Sequence, residues 1–181
     1  MLLRRHRMAA LLNRDNFTEM TRPHWARMHR FATRLCGDPD RGADLVQEAL
    51  VKAIASCARY DGRLPLAPWL MEIVRNAFRD QLRRAERRPE APVADANDLV
   101  GDVGPDALAR ALIVERADQL EGHLAAIPDD FREVLILVDV EDLSYEEAAQ
   151  VCGVPVGTVR SRLYRGRAVL RKLLLENREL F

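Results

Sequence analysis

The stretch Leu143–Leu174, LSYEEAAQVCGVPVGTVRSRLYRGRAVLRKLL, decides how this chain is read. Ser144 is a good helix N-cap, and Glu147 three residues later completes a capping box. Ala148, Ala149 and Val151 give the first helix a small apolar face. Gly153 stands where a helix end must turn left-handed, and Pro155 stands where a new helix can begin. The second helix carries Arg160, Arg162, Arg165, Arg167, Arg171 and Lys172 with no acidic residue among them. Val159, Leu163, Val169, Leu170 and Leu173 supply its buried stripe at helical spacing. An Arg-rich amphipathic helix alone is just as often a solvated surface. A capped helix, a glycine turn and a basic helix in that order point instead to the major groove of DNA.

The rest of the composition fits a nucleic-acid partner once charge is mapped along the chain. The 181 residues carry 28 Lys/Arg and 28 Asp/Glu, a formal net charge of zero. That zero is a cancellation. Residues 1–88 hold 18 basic against 10 acidic residues, or +8; residues 89–127 hold 2 against 8, or −6; residues 128–181 hold 8 against 10, or −2. Within the last part, residues 156–172 are +6. Such a distribution steers a chain toward DNA more than its sum does.

Cys36, Cys57 and Cys152 are isolated and odd in number, so they fit neither a zinc spacing nor a disulfide framework. Cys152 reads as a small buried hydrophobe. A reducing cytoplasm is the compartment expected. No apolar run approaches a membrane span, and the basic N-terminus with its short Met8–Leu12 run makes no signal peptide. His6, His24, His29 and His123 are scattered without partners. No catalytic, metal or cofactor site is expected, and the chain reads as a non-enzyme.

Helical periodicity dominates, and the expected fold class is all-α. Residues 1–20 read as an N-terminal lead-in. Trp25, Met28, Phe31, Ala32 and Leu35 mark a helix stopped by Gly37-Asp38-Pro39. A second helix from about Asp40 has Ala43, Val46, Leu50, Val51 and Ile54 on its expected apolar side. Tyr60–Pro65 is a turn-rich loop. Pro68 fits the first turn of a third helix with Trp69, Leu70, Ile73, Val74, Phe78 and Leu82 as its apolar positions and a very basic end. Residues 89–106, with three prolines, two glycines and five acidic residues, read as a flexible acidic linker. Helical patterning resumes at Leu108, Leu112, Ala117, Leu120 and Leu124, and Pro128-Asp129-Asp130 opens a helix Phe131–Val138.

The order of motifs resembles an extracytoplasmic-function (ECF) sigma factor of the sigma-70 family. ADLVQEALVKAI (Ala43–Ile54) is similar to the family's polymerase-binding helix. APWLMEIVRNAFRDQLRR (Ala67–Arg84) is similar to its melting and minus-10 helix. Ile127–Leu170 is similar to the whole minus-35 reader. The resemblance implies two small helical domains, sigma-2 (21–88) and sigma-4 (107–178, with the helix-turn-helix), joined by the linker 89–106.

The resemblance also assigns roles. Asp44, Gln47 and Glu48 would dock on the clamp of the polymerase beta-prime subunit, where charge alone favours a solvated helix face. The beta flap would meet sigma-4. The Tyr60, Asp61, Gly62 and Arg63 loop with Asn76 would hold a flipped minus-10 base; the bland alternative for Asn76 is a cap or a surface amide. Extracting a base costs stacking and pairing energy that such a pocket must offset, and an amide offers both donor and acceptor. Leu64-Pro65-Leu66 departs from the usual loop and leaves the preferred base open. Trp69 reads as core. Arg79, Arg83 and Arg84 would follow phosphates, contacts that position without specifying. Thr158, Arg160, Ser161, Tyr164 and Arg165 would face the minus-35 major groove, where Arg can pair with guanine. Tyr164 has the alternative of covering the core edge. Arg162 and Arg167 fall on other faces, and Asp139, Glu141 and Asp142 read as a solvated acidic corner.

The leading function is thus a dissociable initiation subunit that binds core RNA polymerase and promoter DNA, held in check by an anti-sigma factor, with no membrane partner. The alternatives are a sigma-like decoy for an anti-sigma regulator, and a simple helix-turn-helix regulator using residues 128–175 alone. The regulator would not need Asp44–Glu48 or the Tyr60–Asn76 segment.

Overall fold

The computed structural model describes residues 12–87 and 122–176. These residues are helical, with no strand among them, and pack as an N-terminal bundle and a C-terminal unit. The expected linker and the helical pattern from Leu108 to Leu120 lie outside the described residues.

In the N-terminal bundle, a short α1 (Phe17–Thr21) leads through a tight turn at Arg22–His24 into α2 (Trp25–Cys36). Met28, Phe31, Ala32 and Leu35 form the buried side of α2. Gly37 ends it with φ +67, its N–H bonded to Thr33 O at 2.7 Å, a conformation that favours glycine. Asp38 then caps α3 (Pro39–Ser56), accepting from Arg41 N at 2.7 Å, with Pro39 in the first turn. α4 (Leu66–Arg87) closes the bundle with Leu66, Leu70, Met71, Val74, Ala77 and Phe78 buried. Pro68 lies in its first turn, where an amide hydrogen has no helical partner anyway.

The buried side of α3 differs from the one its periodicity suggested. Leu45, Val46, Ala49 and Ala53 face the core, while Val51 is 68% exposed and Ile54 is exposed too. α3 is apolar over much of its circumference, and its small residues decide which side goes inward. A Cβ added to Gly42 would sit 2.8 Å from the Thr33 backbone, so α2 and α3 can touch here only through glycine. Burying that contact turns Val51 and Ile54 outward.

The C-terminal unit consists of α5 (Asp129–Leu135), α6 (Tyr145–Cys152) and α7 (Val156–Glu176). α5 runs on into a wider π-type turn, Ile136–Val140, in which Glu141 N reaches back to Ile136 O at 2.9 Å. The expected helix from Phe131 therefore starts two residues earlier and ends in this turn. The capping box forms as read: Glu147 N donates to Ser144 Oγ at 3.2 Å and Ser144 N to Glu147 Oε2 at 3.1 Å. Gly153 is left-handed at φ +64, and Pro155 O accepts from Thr158 N and Val159 N in the first turn of α7. Val159 and Leu163 are buried, with Val169, Leu170 and Leu173 half-buried beside them.

The two units lie against each other, with α4 on α6, and α2 on α5 and its π-type turn. An added Cβ at Gly37 would come within 3.1 Å of Ala125 Cβ.

Candidate nucleic-acid interface

The outward face of α7 is built by elimination. Val159 and Leu163 take the core, so the residues one and two positions beyond them point away. Arg160, Ser161, Tyr164 and Arg165 are exposed, and Tyr164 is 78% so. Tyr164 does not cover the core edge. The Arg160 guanidinium lies 5.9 Å over the Tyr145 ring, a cation–π contact that steadies it while leaving its donors outward. Ser161 Oγ donates to Thr158 O at 3.0 Å, and Thr158 is half-buried at the start of the helix. Arg162 and Arg167 lie on other sides, bound to Asp130 and Asp139 at 2.6 Å each.

The loop between α3 and α4 is ordered from within. Tyr60 is buried, donates its hydroxyl to Leu64 O at 2.8 Å, and lies 4.9 Å from the Trp69 ring. Gly62 takes φ +71, and Asp61 Oδ1 accepts from Arg63 N at 3.0 Å. This loop and the start of α4 frame a cleft of about 490 Å³ lined by Arg59, Asp61, Arg63, Leu64, Trp69 and Glu72, with Gln150 of α6 on its far wall. Burial and the neighbouring Asp61 charge raise the Glu72 carboxyl above its ordinary range, against an opposing pull from Arg75. Asn76 is exposed on α4, outside the cleft lining, and accepts from Arg75 Nη1 at 3.3 Å. Trp69 is half-buried against the core, as its spacing suggested.

Further along α4, Arg83 and Arg84 are exposed, and Arg83 pairs with Asp80. Arg79 is different. Its guanidinium is tied to Glu133 at 2.5 Å and to Asp130, both in the C-terminal unit. The hydrogen bond that Arg79 donates to Glu133 is the largest of several influences holding Arg79 in its charged form. On α3, Asp44 and Gln47 are exposed. Glu48 instead turns toward α4, within 2.8 Å of Lys52 and 3.0 Å of Gln81, and the Lys52 hydrogen bond holds its carboxyl below the ordinary range. Asp44, Gln47 and Glu48 share one side of α3, with Glu48 half-buried at the edge next to α4.

Residues 20–88 match the model of sigma-70 region 2, and residues 118–170 match that of sigma-70 region 4. The ECF RNA polymerase sigma factor EcfG of Rhodopseudomonas palustris is 38% identical over 148 residues, which cover 81% of this chain and 78% of that protein. This chain is an ECF sigma factor. Among solved structures, the sigma factor RpoE of Bartonella quintana, in complex with the anti-sigma factor NepR, superposes with a TM-score of 0.68 at 29% identity. That match covers 88% of this chain and 96% of that one. CnrH, in complex with the cytosolic domain of CnrY, gives 0.64 at 26% identity over 94% of both chains. The two helical units are thus the sigma-2 and sigma-4 domains. No helix among the described residues is long and apolar enough to cross a membrane.

Two acidic residues of this sigma factor carry more than the sequence showed. Glu133 is fully buried and receives Arg75 at 3.2 Å as well as Arg79. Its signal was a carboxylate inside the apolar run FREVLILV, where only a paired charge is tolerable. Glu141, expected to be solvated, is buried and binds Arg27 of α2 at 2.7 Å, with Arg34 at 3.7 Å. The π-type turn swings it inward, which no spacing in the sequence reveals. Cys152 is buried as expected, its thiol pushed up to about 11 by burial and then by the Glu133 charge.

Proposed function

We propose that this ECF sigma factor reads the minus-35 element with Thr158, Arg160, Ser161, Tyr164 and Arg165, and the minus-10 element with the Tyr60–Arg63 loop and Asn76. The observation that carries the reading is the outward face of α7, where two guanidiniums, a hydroxyl and a phenol stand exposed with no core duty. Such a set suits base edges in the major groove. The cleft of about 490 Å³ is large enough to hold a single nucleobase, and its mixed carboxylate and guanidinium lining suits a polar base edge. Arg79, Arg83 and Arg84 follow phosphate and supply the salt-dependent part of affinity.

Core polymerase is met through α3. Asp44, Gln47, Val51 and Ile54 recur at helical spacing along its exposed side and combine polar groups with apolar area. Beside them, Phe17, Trp25 and Leu50 border a shallow groove of about 240 Å³. Glu48 positions α3 on α4 through Lys52 and Gln81. Sigma-4 meets the beta flap. The working boundaries are 21–88 for sigma-2, 89–106 for the linker and 107–178 for sigma-4. The factor works in the cytoplasm, catalyses no covalent step, and is restrained by an anti-sigma factor, a reading supported by two structural relatives captured with partners of that kind or with a cytosolic domain.

Reconstituted transcription tests this reading. Purified protein is added to core RNA polymerase with a pool of genomic promoter fragments, and start sites are sequenced. Discrete new starts sharing two spaced elements are the expected result. Core binding without starts indicates a decoy, and absence of core binding leaves a simple helix-turn-helix regulator.

A further inference from the structure

We propose that Tyr145 is a positioning residue of the minus-35 reader, its ring seating Arg160 so that this arginine accepts guanine and refuses the other bases. The inference rests on the assignment of the outward face of α7 to minus-35 DNA.

The arginines of α7 are held in three different ways. Arg162 and Arg167 are held by carboxylates, Asp130 and Asp139, at 2.6 Å each. Such a pair spends N–H donors and offsets the charge that a base or a phosphate would meet. Arg165 and Arg171 are exposed, and no hydrogen bond, ion pair or ring contact restrains them among the described residues. Arg160 is held without being neutralised. Its guanidinium lies 5.9 Å over the Tyr145 ring, and a ring face takes no N–H donor and carries no net charge. The side chain is therefore restrained before DNA arrives, with its whole fork left to use.

The seat is itself fixed from beneath. Tyr145 is the first residue of α6, half-buried and packed on the apolar core. The Ser144–Glu147 box spans it and ties down the turn from which it projects. A ring set by one helix of the helix-turn-helix thus aims a side chain of the next.

The consequence is selectivity. Guanine offers two acceptors, O6 and N7, in the major groove, and an arginine fork meets both at once. A fork already seated gives up little freedom to make that contact. No other base presents the same pair of acceptors. To find a second acceptor elsewhere the guanidinium must leave the ring, and the lost cation–π contact is added to the cost of the wrong base. That contact is worth about two- to fivefold at an exposed site. Residue 145 enters the base preference without belonging to the face that reads it.

The test uses the full chain with core RNA polymerase. The minus-35 element of one mapped promoter is randomised, and transcripts from the template pool are counted by sequencing. Wild type, Tyr145→Phe, Tyr145→Leu, Arg160→Ala and Tyr145→Leu/Arg160→Ala are compared. Arg160→Ala should flatten the preference for guanine at one position, which identifies the base it reads. Tyr145→Leu keeps an apolar side chain on the core but has no π face. It should lower the preference at that same position by about two- to fivefold while the other positions hold. Tyr145→Phe keeps the ring and should match wild type. The double variant should be no flatter there than Arg160→Ala alone, because the seat has nothing left to hold. A purely structural role for Tyr145 gives a different picture, in which output falls evenly across all templates and the base preference stays. That result, or equal loss in Tyr145→Phe and Tyr145→Leu, overturns the proposal. Should Tyr145→Leu melt too low to form holoenzyme, Tyr145→Met takes its place under the same criteria. Absence of starts, or an Arg160→Ala that changes no base preference, refutes the minus-35 assignment itself. An Arg160→Ala effect that Tyr145→Leu does not share refutes the seat alone.

Discussion

On α7, Arg160, Ser161, Tyr164 and Arg165 stand in solvent while Val159 and Leu163 behind them hold the helix to its domain. On α4, Arg75 and Arg79 are held by Glu133 and Asp130 of the other domain, while Arg83, Arg84 and Arg87 further along are exposed. The proposed minus-35 surface is thus presented ready for use, and the proposed minus-10 surface is partly occupied by the protein itself. The difference comes from their neighbours, not their composition. Both helices are arginine-rich, but one faces away from the domain boundary and the other lines it.

The sharpest way to break this comparison is on α7. Arg160→Ala with Arg165→Ala should reduce transcription from the factor's own promoters by roughly two to three orders of magnitude, since each guanine-reading arginine contributes about 1–3 kcal/mol of discrimination. Loss confined to minus-10-only templates would contradict the assignment. Next comes Gly42→Ala, which forces a methyl into the Thr33 backbone. We expect a loss of about 1–3 kcal/mol from overpacking, read as a lower urea midpoint. Hydrogen exchange should place the loosening in α2 and α3 and spare α7.

Ser144→Ala is expected to cost about 1 kcal/mol through the lost cap, weakening the minus-35 reader while sparing core binding. The smallest effect concerns Glu72 in the cleft. Burial raises its carboxyl pKa, so the folded state holds that proton more tightly than the unfolded chain does. Its contribution to stability is therefore fully present below the ordinary carboxylate pKa and fades as pH rises through the raised value. Glu72→Gln should slightly raise the melting temperature at pH 7, and the gain should vanish in acid. A gain that grew on acidification would show that Glu72 is paired instead.

Much of this was written locally in the chain. The Ser144–Glu147 box, Gly153 and Pro155 specify the helix-turn-helix through contacts at most a few residues apart, and those contacts are present. Gly37 likewise ends its helix as read, and the next helix starts at Pro39, one residue before the expected Asp40, with Asp38 as its cap. What stayed hidden depends on packing between elements distant in sequence. Periodicity suggested that Val51 and Ile54 were inward, because α3 is apolar on several sides and only the close approach at Gly42 chooses among them. Glu141 looked solvated because its burial depends on the π-type turn and on Arg27, which lies 114 positions away. The shared use of Asp130 by Arg79 and Arg162 could not be read from either helix alone.

The cation–π seat of Arg160 on Tyr145 has a consequence for how such a factor changes over generations. The residues that face outward on α7 contribute little to holding the fold, so substitutions there leave folding nearly untouched and alter only which DNA is preferred. A duplicated copy of this chain could drift to a new set of promoters one residue at a time. Arg79 has no such freedom, because any change there must be matched by Glu133 and Asp130. Promoter repertoires in a lineage built on this scaffold should therefore diverge first in the upstream element.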